Sequence, residues 1–178
     1  MVRFRACVTV LLALASMAAV GAVAPAVFQA VELVSPRALQ AALPSVAGWE
    51  KSDVSSGRAS LPVPIAEAKA TYDKDEAEVE VKIIDSANNQ TILAPLTGAI
   101  GSGVSQAGRG KSQKSTTIGG FPCWEEWDGG ERHGEINVLV ARRIIVTVTG
   151  DDIAGIAVLR EFAEKTGLKQ LAALVEVK

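Results

Sequence analysis

Apolar and polar residues alternate with a period of two in two consecutive segments, residues 66–72 and 77–83. This pattern is typical of β-strands that have one buried face. A four-residue turn between the segments predicts a hairpin in which Tyr72 lies opposite Ala77. In this register apolar residues pair on one face and opposite charges on the other: Ala70 with Val79, Ala68 with Val81, Ala66 with Ile83, Lys69 with Glu80, and Glu67 with Lys82.

A second hairpin is predicted at residues 136–148, where apolar residues again occupy alternate positions on both sides of a three-residue turn. In this register Val140 lies opposite Ile144. On the other face Leu139 lies opposite Ile145, so both faces carry apolar side chains. This second face is expected either to be covered by a helix or to form an exposed apolar patch.

Apolar residues at helical spacing predict a helix over residues 91–100. Thr91 is the expected N-cap, which places Pro95 in the first turn, where proline is tolerated. A second predicted helix begins near Ile153, after the acidic pair at 151–152, which is expected to cap it.

The remaining segments complete the predicted order β-β-α-β-β-β-α. Residues 51–64 are interpreted as a loose strand and loop, and residues 101–115, rich in Gly, Ser and Lys, as a loop. Residues 118–127 are expected to form one strand, distorted at Pro122. Adjacent strands joined by short loops indicate an antiparallel sheet with helices packed on it, which is the α+β class.

Three segments and the terminal helix carry a resemblance to a known family. The segments are residues 119–122, 133–140 and 143–150, and together with the helix they resemble the PsbP/Mog1-like family of α/β/α sandwiches. They also resemble small exported bacterial domains of unknown function. The resemblance covers roughly residues 49–175 and includes no diagnostic catalytic motif. It implies a binding or assembly role rather than a reaction, and it assigns no site residues.

The beginning of the chain has the pattern of a secretory signal peptide. Arg3 and Arg5 precede an uncharged, largely apolar run, which ends in small residues that fit a cleavage site after Ala26 or, alternatively, after Ala22.

The predicted organisation has three parts: a signal peptide at residues 1–26, an N-terminal extension at residues 27–47 and a single α+β domain at residues 48–178. We expect a periplasmic or extracellular protein of a bacterium. The alternative is an uncleaved membrane anchor that holds the domain outside, and only then is a membrane contact expected.

Composition and charge narrow the possible functions. The chain of 178 residues has 18 basic and 20 acidic residues, and removal of residues 1–26 would lower the net charge from −2 to −4. A net charge that is slightly negative gives no electrostatic reason to expect binding of nucleic acid.

One histidine and two cysteines exclude a Cys₄ or Cys₂His₂ zinc site within one chain. Cys7 leaves with the signal peptide, so Cys123 has no intrachain disulfide partner, and neither a metal nor a cofactor is expected.

Residues 110–112, Gly-Lys-Ser, resemble the end of a phosphate-binding loop. The pattern requires glycine where this chain has Ser105, and it requires a strand before the loop and a helix after it. Here a helix precedes and a strand follows. The sequence therefore favours a mobile basic loop over a nucleotide site.

The few aromatic residues are unevenly distributed. They make up 4% of the chain, yet Phe121, Trp124 and Trp127 lie within seven residues. Positions three apart in a strand point to opposite faces, so one tryptophan is expected in the core and the other on the second face. The predicted binding residues are Trp124, Trp127, Leu139 and Ile145, since large aromatic side chains dominate many binding surfaces. The sequence thus predicts an exported, non-enzymatic domain that binds a partner protein or an apolar ligand.

Two alternatives remain open. One is a small periplasmic hydrolase that uses Glu125 or Glu126 together with His133, although neighbouring strand residues point to opposite sides. A solvated loop is the expected place of His133, and a dyad with Cys123 has no identifiable activating partner. No residue is therefore predicted to be catalytic. The other alternative is a structural or assembly subunit of an envelope complex.

Overall fold

The computed structural model describes residues 31–60 and 62–176. The predicted signal peptide, residues 1–26, lies outside the described residues. The helices are α1 (Pro36–Ala41), α2 (Gln90–Gly101), α3 (Ile156–Lys165) and α4 (Leu168–Glu176). The strands are β1 (Glu50–Ala59), β2 (Ile65–Lys74), β3 (Ala77–Asp85), β4 (Ser105–Gly108), β5 (Lys111–Ile118), β6 (Phe121–Asp128), β7 (His133–Val140) and β8 (Ile144–Asp151).

The strands form one antiparallel sheet in the order β1-β2-β3-β8-β7-β6-β5-β4. After β3, helix α2 takes the chain to the far edge of the sheet. Four successive hairpin connections then return it from β4 to β8, which pairs with β3. The predicted α+β class, an antiparallel sheet with helices packed on it, is confirmed.

The larger core lies between one face of the sheet and helices α1, α3 and α4. Phe162 of α3 makes edge-to-face contacts with Tyr72 and Trp49, at centroid distances of 4.9 and 5.1 Å. The hydroxyl of Tyr72 donates to the carbonyl of Pro44 at 2.8 Å, so its polar atom is satisfied inside the core. Leu39 of α1, within the segment predicted as an extension, is fully buried in the same core.

The opposite face of the sheet carries a smaller apolar cluster under α2. Leu93 and Leu96 of α2 pack with Leu139 and Ile145 of the sheet, and Trp124 borders them. The predicted register of the β7–β8 hairpin is confirmed, including the pair Leu139–Ile145. Of the two expectations for this face, cover by a helix is the one observed.

The β2–β3 hairpin forms at the predicted place, but its predicted register is wrong by two residues. The turn contains only residues 75–76, so Tyr72 lies opposite Val79 rather than Ala77. A slip of two residues leaves every side chain on its original face. The alternation of apolar residues therefore could not distinguish these two registers.

This slip also changes the charged pairs of the hairpin. Lys69 lies opposite Lys82, and Glu67 lies opposite Ile84. The ammonium group of Lys69 instead reaches Glu80 diagonally, with an Nζ–Oε2 distance of 3.1 Å. Of the two predicted charge pairs, Lys69–Glu80 thus forms as a diagonal contact, two residues out of register, and no ion pair joins Glu67 to Lys82 among the described residues.

The predicted loop at residues 101–115 is wrong, because most of it forms β4 and the first half of β5. The two strands are joined at residues 109–110, whose φ angles of 53° and 80° are typical of a tight hairpin turn. The strand predicted at 118–127 is likewise divided by a turn at 119–120, with φ angles of 58° and 88°. β4 and β5 have few apolar residues, so period-two alternation could not reveal them.

The predicted helix caps are wrong as well. Asn89 is the N-cap of α2, since its side chain accepts from the backbone N–H of Thr91 at 2.9 Å, and Pro95 lies inside the helix. Asp151 does not cap α3, because it pairs with β3 as the last residue of β8. Helix α3 begins only at Ile156.

Candidate functional site

The two tryptophans of β6 lie on opposite faces of the sheet, as their spacing predicts. Trp124 packs at the border of the α2 cluster, beside Leu139 and Ile145. Trp127 packs against the larger core on the other face. The four predicted binding residues therefore do not form one surface.

The indole of Trp127 lies across a glycine of the neighbouring strand. Trp127 is paired with Gly134, where a Cβ would lie 2.9 Å from the indole and 3.3 Å from Ile156 of α3. On the next strand, a Cβ at Gly150 would lie 2.6 Å from Leu159. These two glycines allow Trp127 and α3 to approach the sheet closely, so Trp127 has a structural role there.

Trp124 and the apolar residues beside it are differently placed. Leu139 and Ile145 are only 6% and 7% exposed, because α2 covers them. The indole Nε1 of Trp124 donates to Oε1 of Glu126 at 2.6 Å, and Nε2 of Gln113 donates to the same oxygen at 3.2 Å. The apolar pair thus offers no open surface, whereas Trp124 positions a carboxylate.

An open cleft of about 660 Å³ lies beside strands β4 to β7. Its lining includes a row of residues in register across these strands: Gln106, Gln113, Glu126 and Glu135. Residues opposite each other in an antiparallel pair share a face. Since Glu126 also shares a face with Trp124, this row lies on the α2 side of the sheet, beyond the part that α2 covers.

Acidic residues outnumber basic ones in the lining of this cleft. The acidic residues are Glu126, Asp128, Glu131 and Glu135, and the basic ones are Arg109 and Lys111. Lys111 forms an ion pair with Asp128 at 2.5 Å, which lowers the pKa of the Asp128 carboxyl and raises that of the Lys111 ammonium. Within residues 31–60 and 62–176, no ion pair joins the other three carboxylates to a cationic side chain.

The two carboxylates proposed for a hydrolase do not converge. Glu125 points to the larger core and is 3% exposed. It accepts two hydrogen bonds from Arg160, at 2.9 and 2.6 Å, and Lys114 lies 3.5 Å away. Glu126 lies on the other face, in the cleft. The pair therefore cannot flank one substrate bond.

His133 begins β7 and lines the cleft together with Glu126. Its Nδ1 lies 2.7 Å from Oδ1 of Asp151, and its side chain is 42% exposed. Cys123 is fully buried on the other face, and burial raises the pKa of its thiol to about 11. A Cys–His dyad is thus not formed, and the described part of the chain contains no metal-binding group of three or more His, Cys, Asp or Glu.

The most completely bonded charged pair, Asp85 and Arg143, was not identified from the sequence. Asp85 is fully buried and accepts two hydrogen bonds from Arg143 at 2.7 Å, one from the backbone N–H of Val34 at 2.7 Å, and one from that of Ala87 at 3.0 Å. Burial alone would raise the pKa of Asp85, but these hydrogen bonds outweigh it and hold the pKa below its ordinary value. Arg143 also donates to the carbonyl of Glu32, so the pair fastens the segment before α1 to the sheet.

One signal in the sequence could have revealed this pair. Asp85 continues the alternate positions 79, 81 and 83, whose side chains are apolar and buried. A charged residue at the end of such a series is buried only with a partner. The sequence pattern alone does not show which cation that partner is.

Comparisons of the chain with protein-family models, with curated proteins and with solved structures found no match. The resemblance to the PsbP/Mog1-like family therefore stays a prediction. Within the described residues, no helix has both the length and the apolar character needed to cross a membrane.

Proposed function

We propose that the protein is an exported, non-enzymatic domain that binds a partner protein in the cleft beside β4–β7. The observation that supports this best is the row of polar side chains in an open cleft, of which Gln113, Glu126 and Glu135 are held by hydrogen bonds. Glu126 is held by Trp124 and Gln113 before any partner arrives. Groups that are already positioned lose less conformational entropy on binding.

A partner protein is favoured over an apolar ligand. Leu139 and Ile145, the apolar residues expected to bind such a ligand, lie under α2. The cleft is lined by charged and amide side chains together with Trp127. A mixed surface of this kind suits a protein segment, which can supply matching hydrogen bonds and charges as well as apolar contacts.

Binding is also favoured over catalysis, because two of the candidate reactive side chains are buried on the other face of the sheet. Cys123 is buried with a raised pKa, and Glu125 is held by Arg160 on the other face. No step in the proposed activity needs a cofactor or a metal.

Partner capture with cleft variants tests the proposal. Gln113 is exposed in the cleft, and Gln113→Trp is expected to fill it without disturbing the core. Thr117→Trp is the matched control, since Thr117 is exposed on the same face of the same strand but outside the cleft. A protein retained from the exported fraction by the wild type and Thr117→Trp, but not by Gln113→Trp, would support the proposal. Equal retention by all three variants would contradict it.

A small hydrolase that uses Glu126 and His133 is the second candidate, because both residues line the same cleft. Turnover of ester, glycoside or phosphate test substrates, lost in both Glu126→Gln and His133→Asn, would favour it over simple binding. Glu125 has no part in this version. The third candidate, an assembly subunit of an envelope complex, is a form of partner binding that the capture experiment also detects.

A further inference from the structure

Strand β4 is at one edge of the sheet, and its outer side carries unpaired backbone groups. The N–H of Ser115 on β5 donates to the carbonyl of Val104 at 3.1 Å, one residue before β4 begins. Hydrogen-bonded and non-hydrogen-bonded positions alternate along an antiparallel pair. Ser105 and Ala107 therefore direct their N–H and C=O groups away from β5, and no turn or loop residue of the described chain bonds to them.

The opposite edge of the sheet, β1, is protected in a way that β4 is not. A register shift between Ser52 and Ser55 interrupts β1, and Asp53 has a φ of 44° there. β1 also carries several charged side chains, whereas β4 contains neither a charge, nor a proline, nor a register shift. Bulges, edge charges and very short edge strands are the usual means by which sheets prevent the addition of another strand, and β4, at four residues, has only the last of these. The edge that lacks a bulge and charges is the one beside the cleft.

The charge of the cleft selects the kind of strand that would add. Gln106 of β4 is in register with Gln113 and Glu126, so a side chain of an added strand opposite Gln106 would lie on the same face as Glu126, three strand spacings of about 4.8 Å away from it. Glu126, Glu131 and Glu135 form no ion pair within residues 31–60 and 62–176, and acidic residues outnumber basic ones in the cleft lining. A long lysine or arginine side chain at that position would extend over the cleft toward Glu126, whereas an acidic side chain would be repelled. A second copy of this chain would instead bring two acidic clefts together, which like-charge repulsion disfavours.

We propose that the partner contributes an extended, basic segment that pairs with the outer edge of β4 as a ninth strand, with its cationic side chains over the cleft. This inference rests on the proposed function, because it specifies how the partner binds at the same place. Backbone hydrogen bonds to Ser105 and Ala107 would provide affinity, and the carboxylates would provide selectivity.

Two labelled probe peptides test this inference, one of alternating threonine and lysine and one of alternating threonine and glutamate. We expect the lysine peptide to bind the wild type at least tenfold more tightly than the glutamate peptide. The amides of Ser105 and Ala107 should exchange more slowly in the complex. Equal binding of the two peptides, or no binding of either, would overturn the inference.

Ala107→Pro removes the outward N–H, and proline is tolerated on an edge strand where that group faces solvent. Ala107→Val is the matched control, because it keeps the N–H at the same exposed position. We expect Ala107→Pro, but not Ala107→Val, to weaken binding of the lysine peptide tenfold or more. Equal binding to both variants would overturn strand addition.

If Gln113→Trp then still abolished partner capture, the proposed function would stand without strand addition. A dimer of the wild type that Ala107→Pro dissociates would also overturn the inference, since the edge would then pair with a second copy.

Discussion

The two faces of the sheet differ in how they are covered. On one face three helices enclose the larger core, and glycines at 134 and 150 let α3 and Trp127 pack closely. On the other face α2 covers Leu139 and Ile145 and leaves the cleft open. The first face is expected to determine stability. Under the proposed function, the second face would bind a partner without any part of the core having to open.

The largest expected effect concerns the Asp85–Arg143 pair of the enclosed face. Arg143→Met leaves a buried carboxylate without its cation, and we expect a loss of about 3–5 kcal/mol in the free energy of unfolding at pH 7. Arg142→Met, an exposed change in the same turn, is the control and should alter it by less than about 0.5 kcal/mol. Urea unfolding measures both. Equal small losses in the two variants would show that the pair contributes little.

The pH dependence sharpens this first prediction. In the wild type the folded-state pKa of Asp85 is below its ordinary value of about 3.9. Its contribution to stability is therefore present above that value and is lost as the pH falls through the folded pKa. In Arg143→Met, burial without the cation should raise the pKa of Asp85. The stability lost relative to the wild type should then be smaller at pH 4 than at pH 7, and a larger loss at pH 4 would contradict the sign.

An intermediate effect is expected from Gly134→Ala on the same face. A Cβ there would lie 2.9 Å from the indole of Trp127 and 3.1 Å from the backbone carbonyl of Glu126, which cannot move freely. We expect a loss of about 1–3 kcal/mol, together with a shift in tryptophan fluorescence. Gly57→Ala is the control, since a Cβ at Gly57 meets nothing within 4 Å. Equal stability of the two variants would mean that the close approach at Gly134 is unimportant.

The smallest effect on stability is expected on the open face. Trp124→Phe removes the hydrogen bond to Glu126, so stability should fall by no more than about 1 kcal/mol while binding of the lysine peptide weakens. Trp127→Phe should have the larger effect on stability and the smaller effect on binding, because Trp127 packs against the larger core although it also lines the cleft. Isothermal titration and urea unfolding of the two variants make the comparison. A pattern in which Trp127→Phe reduced binding more than Trp124→Phe would refute the assignment of roles to the faces.

The register of a hairpin was predicted correctly from the sequence where apolar residues lie on both faces of its strands. The β7–β8 hairpin has apolar residues on both faces, and the pairs Val140–Ile144 and Leu139–Ile145 agree with one register. In β2–β3 the same kind of pattern tolerates a slip of two residues, so the register was wrong although both faces were right.

The cleft could not be predicted for a different reason. β4 and β5 are mostly polar and exposed, so no apolar alternation marks them as strands. Gln106, Gln113, Glu126 and Glu135 come together only because four strands pair in one register. The spacing of Trp124 and Trp127 did predict their opposite faces, but not that α2 covers the apolar residues beside Trp124.

The return of the chain from β4 to β8 has a consequence for the order of folding. Among the paired strands of the described chain, only β3 and β8 are distant in sequence, with Val81 opposite Val148. All other pairs are hairpins between consecutive strands, which close quickly because their loops are short. We therefore expect two halves, residues 50–85 and 105–151, to acquire strand pairing early and to join slowly along β3–β8. The Asp85–Arg143 ion pair lies at one end of that junction and would form only when the halves meet.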